Sequence, residues 1–542
     1  MTLGLAVRQG VLVDQVRSFC DRVVPEDSLY GLLRRDGDRL FPDGMFADLF
    51  SDRGRRSVPP SVVAVVMVLQ RLEGLSDREA VDRYAFDVRW RWAAGVDGWD
   101  ESWDRFAHTV LVDMRERLRR SEDRDRIFRV VLEAAKKAGL VGRRRVLDST
   151  CLYDAVATMD TITLIRSAIR GLLAVADAGL EVELRAVLSS GDDYASNAKP
   201  QIAWDDTAAR DELVDSRAKD GFACLDVLDG RRLDDPVGEA ARLLAVVLAQ
   251  DLDEGEDGVF RIARRVAKDR TISTVDSQTR HGHKTQARGF DGYKAHAAVD
   301  PDSEIITATK VTPGNVGDAT VAQDLIADLI DDDAVGEEPA ASHDADSDGT
   351  DGERAKVYGD AAYGTGPFQE FLDDNDIDSG CKTQPPSPRP GGLFSKDRFV
   401  IDLDDDTVTC PTGVTVTIGR KPDGSGIASF AGNCTDCPLQ DQCTTSKTGR
   451  TINLNAHEET LARVRADQAD PDWQDDYRAT RPKVERKLAH LMRRRHGGRR
   501  ARVRGTDRVD ADFNLLAAAV NLARGAVVGL HWTTTGWATP TN

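Results

Sequence analysis

The chain has no apolar run long enough to cross a bilayer: Ser61 to Gln70 is too short, and Leu515 to Leu530 is interrupted by Asn521 and Arg524. It also lacks a signal-peptide layout, because Arg8 breaks the few apolar residues of the N-terminus. A cytoplasmic protein is expected, and in that compartment eight cysteines argue against a disulfide framework. A positive surplus is missing too. The net charge of −19, taken whole, argues against a nucleic-acid binder.

The distribution of charge says otherwise. Residues 331–353 carry −10 without one basic side chain, and residues 191–260 carry −11. Residues 478–508 carry +11, with thirteen Arg or Lys against Glu485 and Asp507. The chain is therefore polarised, with one basic element suited to phosphates.

At 542 residues the chain exceeds one ordinary core. Residues 1–142 read as a helical N-terminal domain, with amphipathic segments at Val62–Leu72 and Ser76–Ala94. Trp90, Trp92, Trp99 and Trp103 there suit a small core or a dimer surface better than base stacking. An α/β domain is expected over 143–530, starting with a strand at Arg143–Thr150, and a C-terminal tail over 531–542. Helical patterning with no strand signal marks 160–265 as an insertion. Phe290–Asp300 and Glu304–Pro313 read as a hairpin, Val321–Ile330 as a helix, and 331–353 as an acidic loop. Lys356–Asp360 returns to the sheet, with a helix at Pro367–Asn375. Residues 380–455, rich in Pro, Gly and Cys, read as a β-containing insertion.

Two acids end β-branched, apolar runs: Asp148 in Val146-Leu147-Asp148-Ser149-Thr150, and Asp360 in Val357-Tyr358-Gly359-Asp360. A third, Glu485 in Arg481-Pro482-Lys483-Val484-Glu485, sits in the first turn of a patterned helix, where the positive helix end favours its ionisation. Carboxylates converging from two strands and a helix make a hard, all-oxygen site suited to Mg²⁺ or Mn²⁺, and a pair of such ions supports phosphoryl transfer. Asp276, after another strand-like run, competes with Asp148 but ranks behind it. Lys487, Arg493, Arg494 and Arg495 continue the helix of Glu485, which Gly497-Gly498 should end or loosen. With Arg481, Arg499, Arg500, Arg502 and Arg504 they are the expected DNA contacts. For His281, His283 and His296 ordinary polar roles outrank contacts to DNA or metal.

These pieces occur in an order that resembles the insertion-sequence transposases with a DDE catalytic domain. The resemblance rests on Leu75-Ser76-Asp77-Arg78-Glu79-Ala80, Arg89-Trp90-Arg91-Trp92, Asp148-Ser149-Thr150 and Gly292-Tyr293-Lys294-Ala295-His296. It continues through Val311-Thr312-Pro313-Gly314-Asn315 with Asp318, Gly359-Asp360-Ala361-Ala362-Tyr363-Gly364, Glu485, Arg504-Gly505 and Asn521-Leu522-Ala523-Arg524. It implies a ribonuclease H-like mixed sheet with flanking helices, preceded by an all-α domain and interrupted by a helical and a β-rich, cysteine-containing insertion. It also implies cut-and-paste DNA transposition: two Mg²⁺ or Mn²⁺ ions on Asp148, Asp360 and Glu485, cleavage at the terminal inverted repeats, and attack of the freed 3′-hydroxyl on target DNA. A homodimer on double-stranded DNA at the nucleoid follows from that role. Relatives place a tyrosine and an arginine ahead of the glutamate and a lysine behind it. Arg481 fits, Tyr477 is one position out of step, and Met492, followed by Arg493, stands where the lysine belongs.

Cys410, Cys434, Cys437 and Cys443 form close pairs that suit one structural Zn²⁺, with free thiols as the alternative. Cys381 is a possible substitute ligand. Two other readings of the whole chain stay open: a ribonuclease H-like nuclease without strand transfer, and a catalytically silent DNA-binding protein.

Overall fold

The computed structural model describes residues 1–5, 15–96, 105–154, 156, 158–196, 202–203, 205–285, 287–334, 354–386 and 390–540. Trp99, Trp103 and the acidic loop from residue 335 onward lie outside the described residues.

The strand expected near Arg143 is β1, Arg144–Tyr153. It continues into β2 (Arg280–Thr285), β3 (Arg288–Val299), β4 (Ile306–Pro313), β5 (Lys356–Gly359) and β6 (Asp378–Cys381) of one six-stranded sheet. The order is β2-β3-β1-β5-β6, with β4 on the other edge of β3. β1 pairs antiparallel with β3 and parallel with β5, so the sheet is mixed. Side-chain alternation sends Val146, Ala297, Val299 and Tyr358 to one face and Leu147, Ala298 and Val357 to the other. Both faces are buried, as the apolar character of these strands requires.

The first face is covered by the N-terminal helices and by a late helix. α1 (Pro60–Glu73) starts with proline in its first turn, is buried nearly all round from Val62 to Arg71, and stops at Gly74 in the left-handed region. α2 is Arg126–Lys137. α3 (Pro471–Thr480) and α4 (Pro482–Leu491) follow the cysteine-rich region, and α5 (Thr506–Val527) lies between α1, α2 and β4. These helices and the sheet share one continuous apolar core. Trp90 and Trp92 belong to the interior, their indoles hydrogen-bonded to Glu73 and Asp21. The outer edge of β4 is closed by α5: Asn521 exchanges hydrogen bonds with the backbone of Ile306, and Asp510 accepts from Val311 N–H at 2.7 Å.

Residues 161–262 enter between β1 and β2. Helices Thr161–Val175, Ala178–Ala186, Thr207–Leu228 and Asp235–Asp251 each start at a capping aspartate: Asp160, Asp177, Asp206 and Asp234. Part of this segment's negative charge is therefore a capping device. The helices enclose their own core around Leu164, Ile165, Leu244 and Leu248. A short hairpin, Leu252–Glu254 with Phe260–Ile262, was not expected from the sequence. Its strands of three residues are too short to show alternation.

The cysteine-rich region holds a separate five-stranded antiparallel sheet, ordered 451–454, 426–429, 415–420, 407–409, 400–402. The tail pairs His531–Thr533 with Gly536–Ala538. No described helix is long and apolar enough to cross a membrane.

Candidate active site

Arg144, Arg145 and Val146 of β1 pair in parallel register with Lys356, Val357 and Tyr358 of β5. Two residues further on, the same register sets Asp148 level with Asp360. Each acid shares its parity with a neighbour on the α4 side of the sheet, Val146 and Tyr358. Both carboxylates therefore project toward α4, which is anchored on that face by Val484, Leu488 and Leu491. β5 stops at Gly359 while β1 runs on, so the acids stand where pairing ends.

Local backbone fixes each acid. Asp148 accepts from Ser149 N–H at 2.8 Å. Asp360 accepts from Ala362 N–H at 2.9 Å, and its carbonyl takes the N–H groups of Tyr363 and Gly364 in a tight turn. Only glycine fits at position 364, because a Cβ there would come within 1.7 Å of the Lys382 carbonyl oxygen.

Arg481 joins α3 to α4 in helical conformation (φ −56°, ψ −39°), so Tyr477, Arg481 and Glu485 follow one another at helical spacing on one face. The Tyr477 hydroxyl donates to Gly359 O at 3.4 Å. Arg481, only 6% exposed, meets all three acids. Its Nη2 is 3.0 Å from Asp148 Oδ1 and 3.8 Å from Asp360 Oδ2, and its Nη1 is 3.7 Å from Glu485 Oε1. Burial raises the Asp148 pKa from its ordinary value although Arg481 and the Ser149 N–H oppose the shift. Burial works against the Arg481 charge, but Asp148, Tyr477 and Asp360 hold it above its usual range.

Asp148 and Asp360, but not Glu485, line a cleft of about 710 Å³. Lys284, Lys294, Asn455, Leu461 and Arg465 line it with them. Lys294 and Asp318, to which the sequence reading gave no role, meet here: Lys294 Nζ is 2.8 Å from Asp318 Oδ1, and Ser149 Oγ donates to Asp318 Oδ2 at 2.7 Å. Their only sequence signal was membership of two short motifs. A second cavity, of about 1080 Å³, lies at the far end of β1 between Tyr153, Ala489, Met492, Arg493, Arg494, Arg499 and Arg500. These four arginines are exposed and form no ion pair among the described residues.

Four expectations need correction. α4 ends at Leu491, not at Gly497-Gly498, because the chain turns at Met492 and closes a 3₁₀ turn over Arg494–His496. Lys487 does not face a DNA path: it is 3% exposed, lies 3.6 Å from Glu304, and burial lowers its pKa to about 8. Arg502 is half-buried and reaches the Leu75 carbonyl, so it braces that segment, whereas Arg495 stays exposed with its Nε on the adjacent His496 ring. Val321–Ile330 is broken into a 3₁₀ turn and two short helices.

Asp276 sits away from the acids, accepting from the Tyr293 hydroxyl at 2.6 Å and from Gly505 N–H at 3.2 Å. His296 is fully buried, bonded to Thr312, and burial lowers its pKa to about 4. His281 pairs with Asp291 and packs edge-on against His283. Arg504 is exposed.

Cys410, Cys434, Cys437 and Cys443 line one small cavity, with Thr412 Oγ1 3.0 Å from Cys410 Sγ and 4.0 Å from Cys437 Sγ. Cys381 lies elsewhere, buried at the end of β6 with its Sγ near the Val357 carbonyl of β5. Among the described residues no three His, Cys, Asp or Glu side chains are arranged to hold a metal ion. At the acids that place is taken by a guanidinium. The donor set still fits a hard divalent cation, since three carboxylate groups already surround one cationic point.

Two family models match the chain: a transposase domain (DUF772) over residues 19–117 and a transposase DDE domain over residues 409–526. The second spans Arg481 and Glu485, and neither reaches Asp148 or Asp360. No curated protein and no solved structure matches the chain. Together the two domain matches, near the start and over the last part of the chain, make it similar to insertion-sequence DDE transposases.

Proposed function

We propose that the chain cuts phosphodiesters at the ends of its element and joins the freed 3′-hydroxyls to target DNA. The observation that carries this reading is the meeting of Asp148, Asp360 and Glu485 around one buried cation, Arg481. The mixed sheet with helices on both faces is that of a ribonuclease H-like domain in this reading. Asp148, Asp360 and Glu485 would hold two Mg²⁺ or Mn²⁺ ions, which supply Lewis-acid stabilisation of the attacking and leaving oxygens. Ser149, tied to Asp318 and Lys294, orients the strand end beside Asp148. The cleft lined by Asp148, Asp360 and Arg465 takes the scissile strand. Arg493, Arg494, Arg499 and Arg500 grip the flanking backbone just beyond the C-terminal end of α4.

The N-terminal helices recognise the terminal inverted repeats or join two subunits, and a homodimer brings two ends to one target. The four cysteines that line their shared cavity would hold one structural Zn²⁺ on closing together, sulfurs being the donors such an ion prefers. The test is a strand-transfer assay with labelled element ends and Mg²⁺. Joined product supports the proposal. Cleavage without joining identifies a nuclease, and binding without cleavage identifies a silent DNA-binding protein.

A further inference from the structure

Arg481 is 6% exposed, and its Nε is buried without a hydrogen-bond partner. A guanidinium gives up a donor in this way only when its terminal nitrogens gain more elsewhere. Here they serve three carboxylates at once, at 3.0, 3.8 and 3.7 Å. Arg481 thus occupies the point from which a divalent ion would also reach all three. A divalent ion there would face a full positive charge at contact range in a partly water-excluded place, so both cannot stay.

We propose that Arg481 is a resident counter-cation, released from the acids when a divalent metal binds and taken up by a backbone phosphate of the DNA. The inference rests on the reading of Asp148, Asp360 and Glu485 as metal ligands. In the metal-free chain the guanidinium offsets the mutual repulsion of the acids and holds them in place. On release, it has the cleft beside Asp148 and Asp360 to enter. A phosphate there offers the paired oxygens that a guanidinium binds in forked geometry. Metal without DNA must leave Arg481 unpaired, and DNA without metal finds Arg481 engaged. The two ligands therefore bind cooperatively, and each raises the affinity for the other by the same factor.

The experiment measures Mn²⁺ binding to the full chain by the loss of its free electron-spin signal, with and without a short random duplex. For the wild type, duplex should tighten Mn²⁺ binding about tenfold. Arg481→Gln should bind Mn²⁺ about tenfold tighter than wild type without DNA and gain little from duplex. In chelator it should melt below wild type, and Mn²⁺ should restore most of the loss. If Arg481→Gln does not fold, Arg481→Lys serves, since its point charge cannot span three acids; it should bind Mn²⁺ several-fold tighter than wild type. Asp148→Asn separates the two levels of the argument. Unchanged Mn²⁺ binding in Asp148→Asn refutes the metal-ligand reading itself. Loss of binding in Asp148→Asn, with Arg481 variants no tighter than wild type, overturns the counter-cation alone.

Discussion

Asp148 and Asp360 stand level on two parallel strands whose hydrogen-bonded pairing ends at Val146 and Tyr358. The site is thus the place where β1 outruns its neighbour. Backbone that would have faced another strand faces the cleft instead, in keeping with the tendency of α/β sheets to bind ligands beyond strand ends.

Each of Asp148→Asn, Asp360→Asn and Glu485→Gln is expected to abolish cleavage of element ends, by at least about a thousandfold or 4 kcal/mol of transition-state stabilisation. Binding to the same ends in a gel-shift assay should stay within a few-fold. A variant that keeps near-normal cleavage removes its residue from the proposed triad.

Asp276 should matter for folding and not for chemistry. Asp276→Ala leaves the Tyr293 hydroxyl and Gly505 N–H without their acceptor, at a cost of about 1–3 kcal/mol. Thermal melting should fall, while cleavage measured well below the melting point stays within a few-fold of wild type. A dead variant with an unchanged melting curve would mean that the first acid has been misassigned.

The basic cavity makes a prediction about salt. Changing Arg493, Arg494 and Arg499 together to Ala should flatten the dependence of log binding constant on log salt by about three units, if each neutralises one phosphate. Specific and random duplexes should weaken alike. These side chains make no ion pair with the acidic 191–260 segment among the described residues, so a loss of thermal stability is not expected. Lower stability with an unchanged slope would contradict the DNA path.

Asp510 predicts a pH dependence. Burial raises its pKa to about 6, from an ordinary 3.8. The folded state therefore holds a proton that the unfolded state gives up between about pH 4 and 6. That stabilising contribution is complete below the unfolded value and is lost as pH rises through about 6. Asp510→Asn keeps an acceptor for Val311 N–H and avoids the ionisation, so it should be more stable than wild type by about 3 kcal/mol at pH 7. The gain should vanish near pH 4 in urea titrations, and a constant difference across this range would exclude the mechanism.

Purified protein should contain about one zinc per chain, lost in Cys434→Ser with Cys437→Ser. The effect should appear as lower melting of the segment around 399–454, since four thiolates leave no open position for chemistry. Zinc-free protein with normal melting and activity would leave the four residues as ordinary thiols.

The acids were legible because strand ends and a first helical turn announce themselves locally: β-branched runs before Asp148 and Asp360, and Pro482 before Glu485. The same holds for α1, with its prolines and apolar run. Lys487 was not, because a run of basic residues does not say which of them turns inward; Glu304, from a distant part of the chain, decides that. The end of α4 at Leu491 was hidden for a related reason. Met492 and Arg493 are good helix formers, and the turn there is imposed by tertiary contacts: His496 reaches the Leu72 carbonyl, and Gly498 packs where a Cβ would strike Leu491 O. Arg481 was visible as a motif residue, but its grip on three acids depends on strand register that no local pattern reveals.

The placement of α5 bears on how the protein is made. The N-terminal helices complete their core on residues 509–526, which leave the ribosome some four hundred residues after α1. Until then α1, buried nearly all round in the finished fold, packs only on its N-terminal neighbours and leaves the face meant for α5 open. Interrupted synthesis should therefore yield products that cannot close around β4. A complete core is thereby reserved to chains translated through the last long helix.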